Sequence, residues 1–182
     1  MVKSILIIAV LALAGLLLFA ATRPDTFSLQ RSIVIQAPPD KLHALINDLH
    51  QFNTWNPYDK KDPAMQGSYR GPAAGPGARY EFKGNKEVGE GSLEITASNP
   101  SQVTMRLDMS APMQASNTID FTLVPRGDAT EVTWAMQGAC PFVAKLMGVF
   151  FNMDAMIGRD FEAGLASLKT IAEKNQISGK AP

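Results

Sequence analysis

The first apolar stretch of the chain has no period at all. From Ile5 to Ala21 no polar side chain occurs, and no charge falls between Lys3 and Arg23. A helix of that length spans roughly 26–28 Å, close to the bilayer hydrocarbon thickness of about 30 Å. A helix packed on a protein core would show a polar face, and this one shows none, so residues 4–22 are expected in lipid. A basic start and an apolar middle also describe a cleavable signal peptide. Cleavage after Ala20 or Ala21, however, would put Leu18 or Phe19 where a small residue is needed, and Ala20-Ala21-Thr22 is a poor substitute. The reading is therefore an uncleaved anchor over residues 1–23. Lys3 and the short N-terminus favour an N-in orientation with the domain outside the cytoplasm, although Arg23 and Arg31 oppose the charge asymmetry.

From Thr26 the pattern changes to alternation. Phe27, Leu29, Ile33 and Ile35 alternate with polar residues, which predicts a half-buried strand with Arg31 as the one misplaced side chain. Pro38-Pro39-Asp40 ends it and opens a helix carrying Leu42, Leu45, Ile46 and Leu49, with a second helical piece running to Trp55 and stopping before Asn56-Pro57. A short strand at Met65–Tyr69 and a connector, Gly71–Gly77, come next. Alternation then returns repeatedly: Tyr80 and Phe82; Leu93, Ile95 and Ala97; Val103, Met105, Leu107 and Met109; Ile119, Phe121 and Leu123, with Asn117 on the same face; and Val132, Trp134 and Met136. Pro125–Asp128 reads as a hairpin turn. Consecutive hairpins of this kind predict an antiparallel sheet with one apolar face.

A cover for that face is supplied by Pro141–Lys174, where Phe142, Leu146, Val149, Phe150, Met153, Ile157, Phe161, Leu165, Leu168 and Ile171 recur at helical spacing. Gly148, Gly158 and Gly164 weaken the run. Asn152 or Asp154 can cap a fresh start, so a short helix, a break and a long helix are expected. The organisation is an anchor over 1–23, one domain over 24–176 and a flexible tail over 177–182.

Charge and titratable residues narrow the function. Lys+Arg and Asp+Glu both total 17, with no run of like sign, so the basic stripe that a nucleic-acid binder uses is missing. Cys140 is the only cysteine and closes no internal disulfide. His43 and His50, seven apart on the predicted helical stretch, have no companions that would complete a metal site, and read as surface histidines.

Four segments resemble a known family: Ser32–Tyr58, Gly84–Ile95, Thr122–Gly138 and Met153–Lys169. Together with the element order they resemble the START-like (SRPBCC) superfamily, and within it the polyketide cyclase/dehydrase and lipid-transport group. The second and fourth segments look like a bacterial subgroup whose members often carry an N-terminal membrane helix. The resemblance implies an α+β helix-grip fold, a curved antiparallel sheet wrapped around the long C-terminal helix. It also implies a cavity between them for a lipid or other hydrophobic small molecule; no cofactor and no metal are expected. Mapped here, the ligand-facing residues would be Trp55, Tyr80, Phe82, Met105, Met109, Asn117, Trp134, Phe150, Met153 and Ile157. Ligand cavities commonly measure about 300–1,000 Å³, which sets the expected size. The same apolar residues could instead simply fill a core.

For catalysis the polar candidates are Asn117, Tyr80, Asp154, Arg159 and Asp160, and they compose no triad or acid–base pair, so no catalytic residue is assigned. An apolar-ligand binder is the preferred reading. A ligand-free protein-interaction module and a cyclase-like enzyme stand as alternatives.

Overall fold

The computed structural model describes residues 2–177, so the expected tail lies almost wholly outside the described residues. Helix α1 (Val2–Ala21) is exposed along most of its length, and Ala20 is its one buried residue. Apart from Lys3 it carries no charge, and it is long and apolar enough to cross a membrane, a property that a signal sequence shares.

Seven antiparallel strands form one sheet in the order β1-β7-β6-β5-β4-β3-β2. They are β1 (Thr26–Ile35), β2 (Gln66–Arg70), β3 (Arg79–Lys83), β4 (Glu90–Asn99), β5 (Gln102–Ala111), β6 (Ala115–Arg126) and β7 (Ala129–Ala139). The register carries the expected faces across the sheet. Leu29, Met136, Ile119, Met105 and Ile95 make one inward row, and Phe27, Gly138, Asn117, Leu107, Leu93 and Tyr80 make the next. Two details differ from the sequence reading. β6 runs through Pro125 to Arg126, and the turn is only Gly127-Asp128, where Gly127 takes the left-handed φ of 63° that such a two-residue turn needs. Between Ile95 and Ala97 the β4–β5 register shifts, and Ala97, expected inside, is exposed.

The chain between β1 and β2 forms three helices, α2 (Pro39–Asn47), α3 (Leu49–Trp55) and α4 (Pro57–Lys61). Asp48 breaks the first two apart, its carboxylate accepting from the His50 and Gln51 backbone N–H groups at 2.8 and 3.4 Å. That break separates the two histidines: His43 reaches Ser98 Oγ at 2.9 Å, whereas His50 stacks on Tyr69 with centroids 3.7 Å apart. The expected stop at Asn56-Pro57 is real, but Asn56 Oδ1 accepts from the Tyr58 N–H at 3.3 Å and starts α4 at once.

Helix α5 (Phe142–Phe150), a break at Phe151-Asn152 and helix α6 (Met153–Ile177) complete the chain. Asn152 Oδ1 accepts from the Ala155 N–H at 3.0 Å, so the expected cap is in place. Arg31, the misfit of β1, explains itself here. It lies on the inward parity and pairs with Glu162 at 2.8 Å and Asp154 at 3.1 Å, tying the strand to α6. Those carboxylates, Asp154 first, raise the guanidinium pKa. Lys169 Nζ donates to Val34 O at 3.0 Å further along the same seam. The core centres on Phe52, Trp55, Phe121, Trp134 and Phe161, with Trp134 and Phe161 stacked at 4.0 Å.

Candidate functional site

Because α6 is drawn over the β1 edge, α3 and α4 form the roof over the opposite half of the sheet. Phe52, Asn56 and Tyr58 are held there by the two caps just described. Beneath them lies a partly open apolar cavity of about 90 Å³. Its floor is Tyr80, Phe82, Leu93, Leu107, Ile119 and Trp134, and Met65, Val88 and Met109 line its rim. The wall is almost wholly carbon, and its polar side chains come from Asn56, Tyr58, Tyr80 and Trp134.

Those polar groups are electrically quiet. Burial, and after it the Asp160 carboxylate, pushes the Tyr58 phenol pKa up, and Lys61 Nζ holds Asp160 at 2.7 Å. Burial, then Asp59 and Tyr69, pushes the Tyr80 phenol up to about 12. Both therefore stay neutral hydroxyls at physiological pH. The buried Trp134 Nε1–H has no acceptor, an uncommon state for a buried indole donor. Near the roof, Asp59 is also raised by burial, and its buried Oδ1 has no partner.

Of the residues assigned from sequence, Tyr80, Phe82, Met109 and Trp134 line this cavity. Trp55 and Met105 are fully buried in the solid core, with Trp55 Nε1 donating to Leu45 O at 3.0 Å. Asn117 faces inward but lies outside the cavity, beside Gly138, whose missing side chain makes room for its Oδ1. Ile157 packs partly buried against the core. Phe150 and Met153 are exposed, at 66% and 47%. The correction has one cause: α6 packs on β1 and the centre of β7, so the space lies under α3 and α4, not under the C-terminal helix. The cavity also falls well short of the expected 300 Å³ and above. Sequence reasoning passed over Phe52, Asn56, Tyr58, Met65, Val88, Leu93, Leu107 and Ile119. Strand parity pointed to Leu93, Leu107 and Ile119, and nothing in the sequence announced α4.

A larger, open groove of about 640 Å³ runs along β2–β5, lined by charged and small residues that include Arg79, Glu81, Lys83 and Glu90. Its charges already pair with one another or with neighbours, as in Arg70–Glu81 at 2.9 Å and Lys83–Glu90 at 3.2 Å. Among the described residues no group of His, Cys, Asp and Glu is gathered as a metal ion requires.

A seven-stranded antiparallel sheet gripping a long C-terminal helix, with helices inserted after the first strand, defines an α+β helix-grip domain. The chain belongs to the polyketide cyclase/dehydrase and lipid transport family, whose model matches residues 26–173. No curated protein matches it in sequence. Among solved structures it is similar to a protein from Chromobacterium violaceum (16% identity, 83% of this chain and 99% of that one, TM-score 0.58). It is also similar to ginseng major latex-like protein 151 from Panax ginseng (13%, 82% and 99%, TM-score 0.56) and to Aha1 from Colwellia psychrerythraea (19%, 81% and 96%, TM-score 0.57). At these identities the likeness is one of fold.

Proposed function

We propose that this chain is a membrane-tethered domain that takes up one apolar small molecule or lipid in the cavity between the sheet and α3–α4. The observation that carries the reading is that cavity, a carbon-walled space inside a close-packed domain of this family. Packed interiors leave few voids larger than a water, and an apolar void forfeits the contacts its lining would otherwise make. At about 90 Å³ the space must widen to hold a lipid-sized guest. Part of its roof is α4, a helix of only five residues, and its rim is Met65, Val88 and Met109, so widening needs a shift of α4 and rotamer changes in unbranched thioether chains. The Trp134 N–H would meet a ligand oxygen, which removes the penalty of an unpaired buried donor. Residues 4–22 hold the domain on the bilayer, with the N-terminus inside and the domain outside the cytoplasm.

Native mass spectrometry of the detergent-purified full chain tests the proposal. The expected spectrum carries a single apolar adduct per chain, or takes one up when a long-chain fatty acid is added. A bare mass that stays bare after that addition contradicts it and leaves the interaction module ahead.

A further inference from the structure

Helix α5 is built inside out. A helix on a water-soluble surface buries its apolar stripe and exposes its charges. Here the one buried residue is Lys145, whose ammonium pairs with Asp25 at 2.5 Å, while Phe142, Val143, Met147 and Phe150 are exposed. Val143, Met147 and Phe150 stand at i, i+4 and i+7, so they share one face. Phe151, Met153 and Met156 continue the exposed apolar surface into the start of α6. Among the described residues outside α1, the only large exposed apolar side chains that lie elsewhere are Val34, Tyr69, Met113 and Val124.

The surface also has a fixed place relative to α1. Helix α5 is the element against which α1 packs, and Ala20 is buried. The Cys140 N–H donates to Asp25 O at 2.6 Å, so α5 begins beside the residue four positions beyond the end of α1. Four extended residues reach at most about 14 Å, which keeps α5 at headgroup depth if α1 spans the hydrocarbon. Arg23, over the Phe19 ring at 5.0 Å, stands at the same level. Strand register puts the β5–β6 connection with exposed Met113, and the Val88–Met109 rim of the cavity, at this end of the sheet, because Gly91 pairs with Met109 and Met109 with Ala115 where β7 and β1 meet α5 and α1.

From this geometry we infer that α5 and the first turn of α6 are a second, monotopic membrane contact, embedded in the headgroup–acyl boundary with Val143, Met147 and Phe150 in lipid. The inference rests on the reading of α1 as a retained anchor and deepens it. A domain held only by one helix would tumble on its linker. Held also by α5, it presents the rim of the cavity to the bilayer, so an apolar guest passes from lipid to cavity without crossing water. Burial of Phe and Met side chains drives the contact, and no basic cluster is involved, so zwitterionic lipid suffices.

The test uses the full chain in phosphatidylcholine vesicles with Cys140→Ser as background and a nitroxide on one introduced cysteine, at Leu11, Phe150 or Asp128. Power saturation with oxygen and a water-soluble nickel chelate reads depth. Labels at Leu11 and Phe150 should both be relaxed by oxygen and shielded from nickel, with Leu11 deeper, and the Asp128 label should be open to nickel. A Leu11 label in lipid with a Phe150 label open to nickel overturns the α5 contact while leaving the anchor standing. A Phe150 label shielded from both reagents means that protein covers α5, and overturns it too. A Leu11 label open to nickel overturns the anchor reading and the inference with it.

Discussion

Trp134 joins the two halves of the interior: its ring stacks on Phe161 of α6, and it also forms part of the cavity wall. Truncation removes both contacts, so Trp134→Ala is expected to cost about 3–5 kcal/mol in urea unfolding of the detergent-solubilised chain. Trp134→Phe keeps most of the volume and deletes the unpaired N–H, so its cost should stay below about 1.5 kcal/mol. Equal losses for the two would show that the indole nitrogen has an acceptor. Asp59 makes a pH-dependent prediction. Burial raises its folded pKa above the ordinary value of 3.8, so the folded state holds the proton more tightly than the unfolded chain. Stability is therefore fullest below the unfolded pKa and declines as pH rises through the folded one. Asp59→Asn should stabilise the protein at pH 7 by less than about 1 kcal/mol, since half-exposed charges are screened, and the gain should vanish below about pH 4. A gain that persists at pH 3 would assign it to something other than ionisation.

At the scale of elements, the three glycines that interrupt the C-terminal helical pattern have separate reasons. Gly158 leaves space for the Arg31 guanidinium, and a Cβ at Gly164 would stand 2.7 Å from Trp134 Cζ3 and 3.0 Å from Pro57 Cδ. Gly148 has open space around it. Replacing helical glycine by alanine gains about 1 kcal/mol in propensity. Gly148→Ala should therefore raise the melting temperature, whereas Gly164→Ala should lower it, with overpacking of about 1–3 kcal/mol outweighing propensity. The opposite order would mean that α6 stands further from the sheet than described. These contacts also show where the sequence was readable. Strand positions, the inward faces up to the β4 irregularity at Ala97, and the helix break at Asn152 followed from local alternation and capping. Arg31 looked like an error because its partners lie more than 120 residues away, on α6. Helix α4 was invisible because Pro57–Lys61 has no apolar period, only a cap. The cavity was misplaced because its position depends on which strand α6 lies over, a long-range choice that period-2 parity does not encode.

For the whole molecule, the exposed apolar helix α1, the inverted helix α5 and the rim of the cavity lie at one end of the sheet, and the ion-paired groove lies along β2–β5. If α1 is retained, the mature chain begins at Met1 or Val2 and stays in the membrane pellet through an alkaline carbonate wash. A mature N-terminus near Thr22 would instead mark α1 as a removed signal. The most direct test of the central claim, that an apolar guest occupies the space under α3 and α4, is photocrosslinking with a diazirine-bearing fatty acid in phosphatidylcholine vesicles, followed by peptide mapping. The account predicts labelling of the segments holding Val88–Leu93 and Leu107–Met109, one label per chain, abolished by Met109→Trp while labelling of α1 persists. Labelling confined to α1 and α5, or cavity labelling indifferent to Met109→Trp, would contradict it.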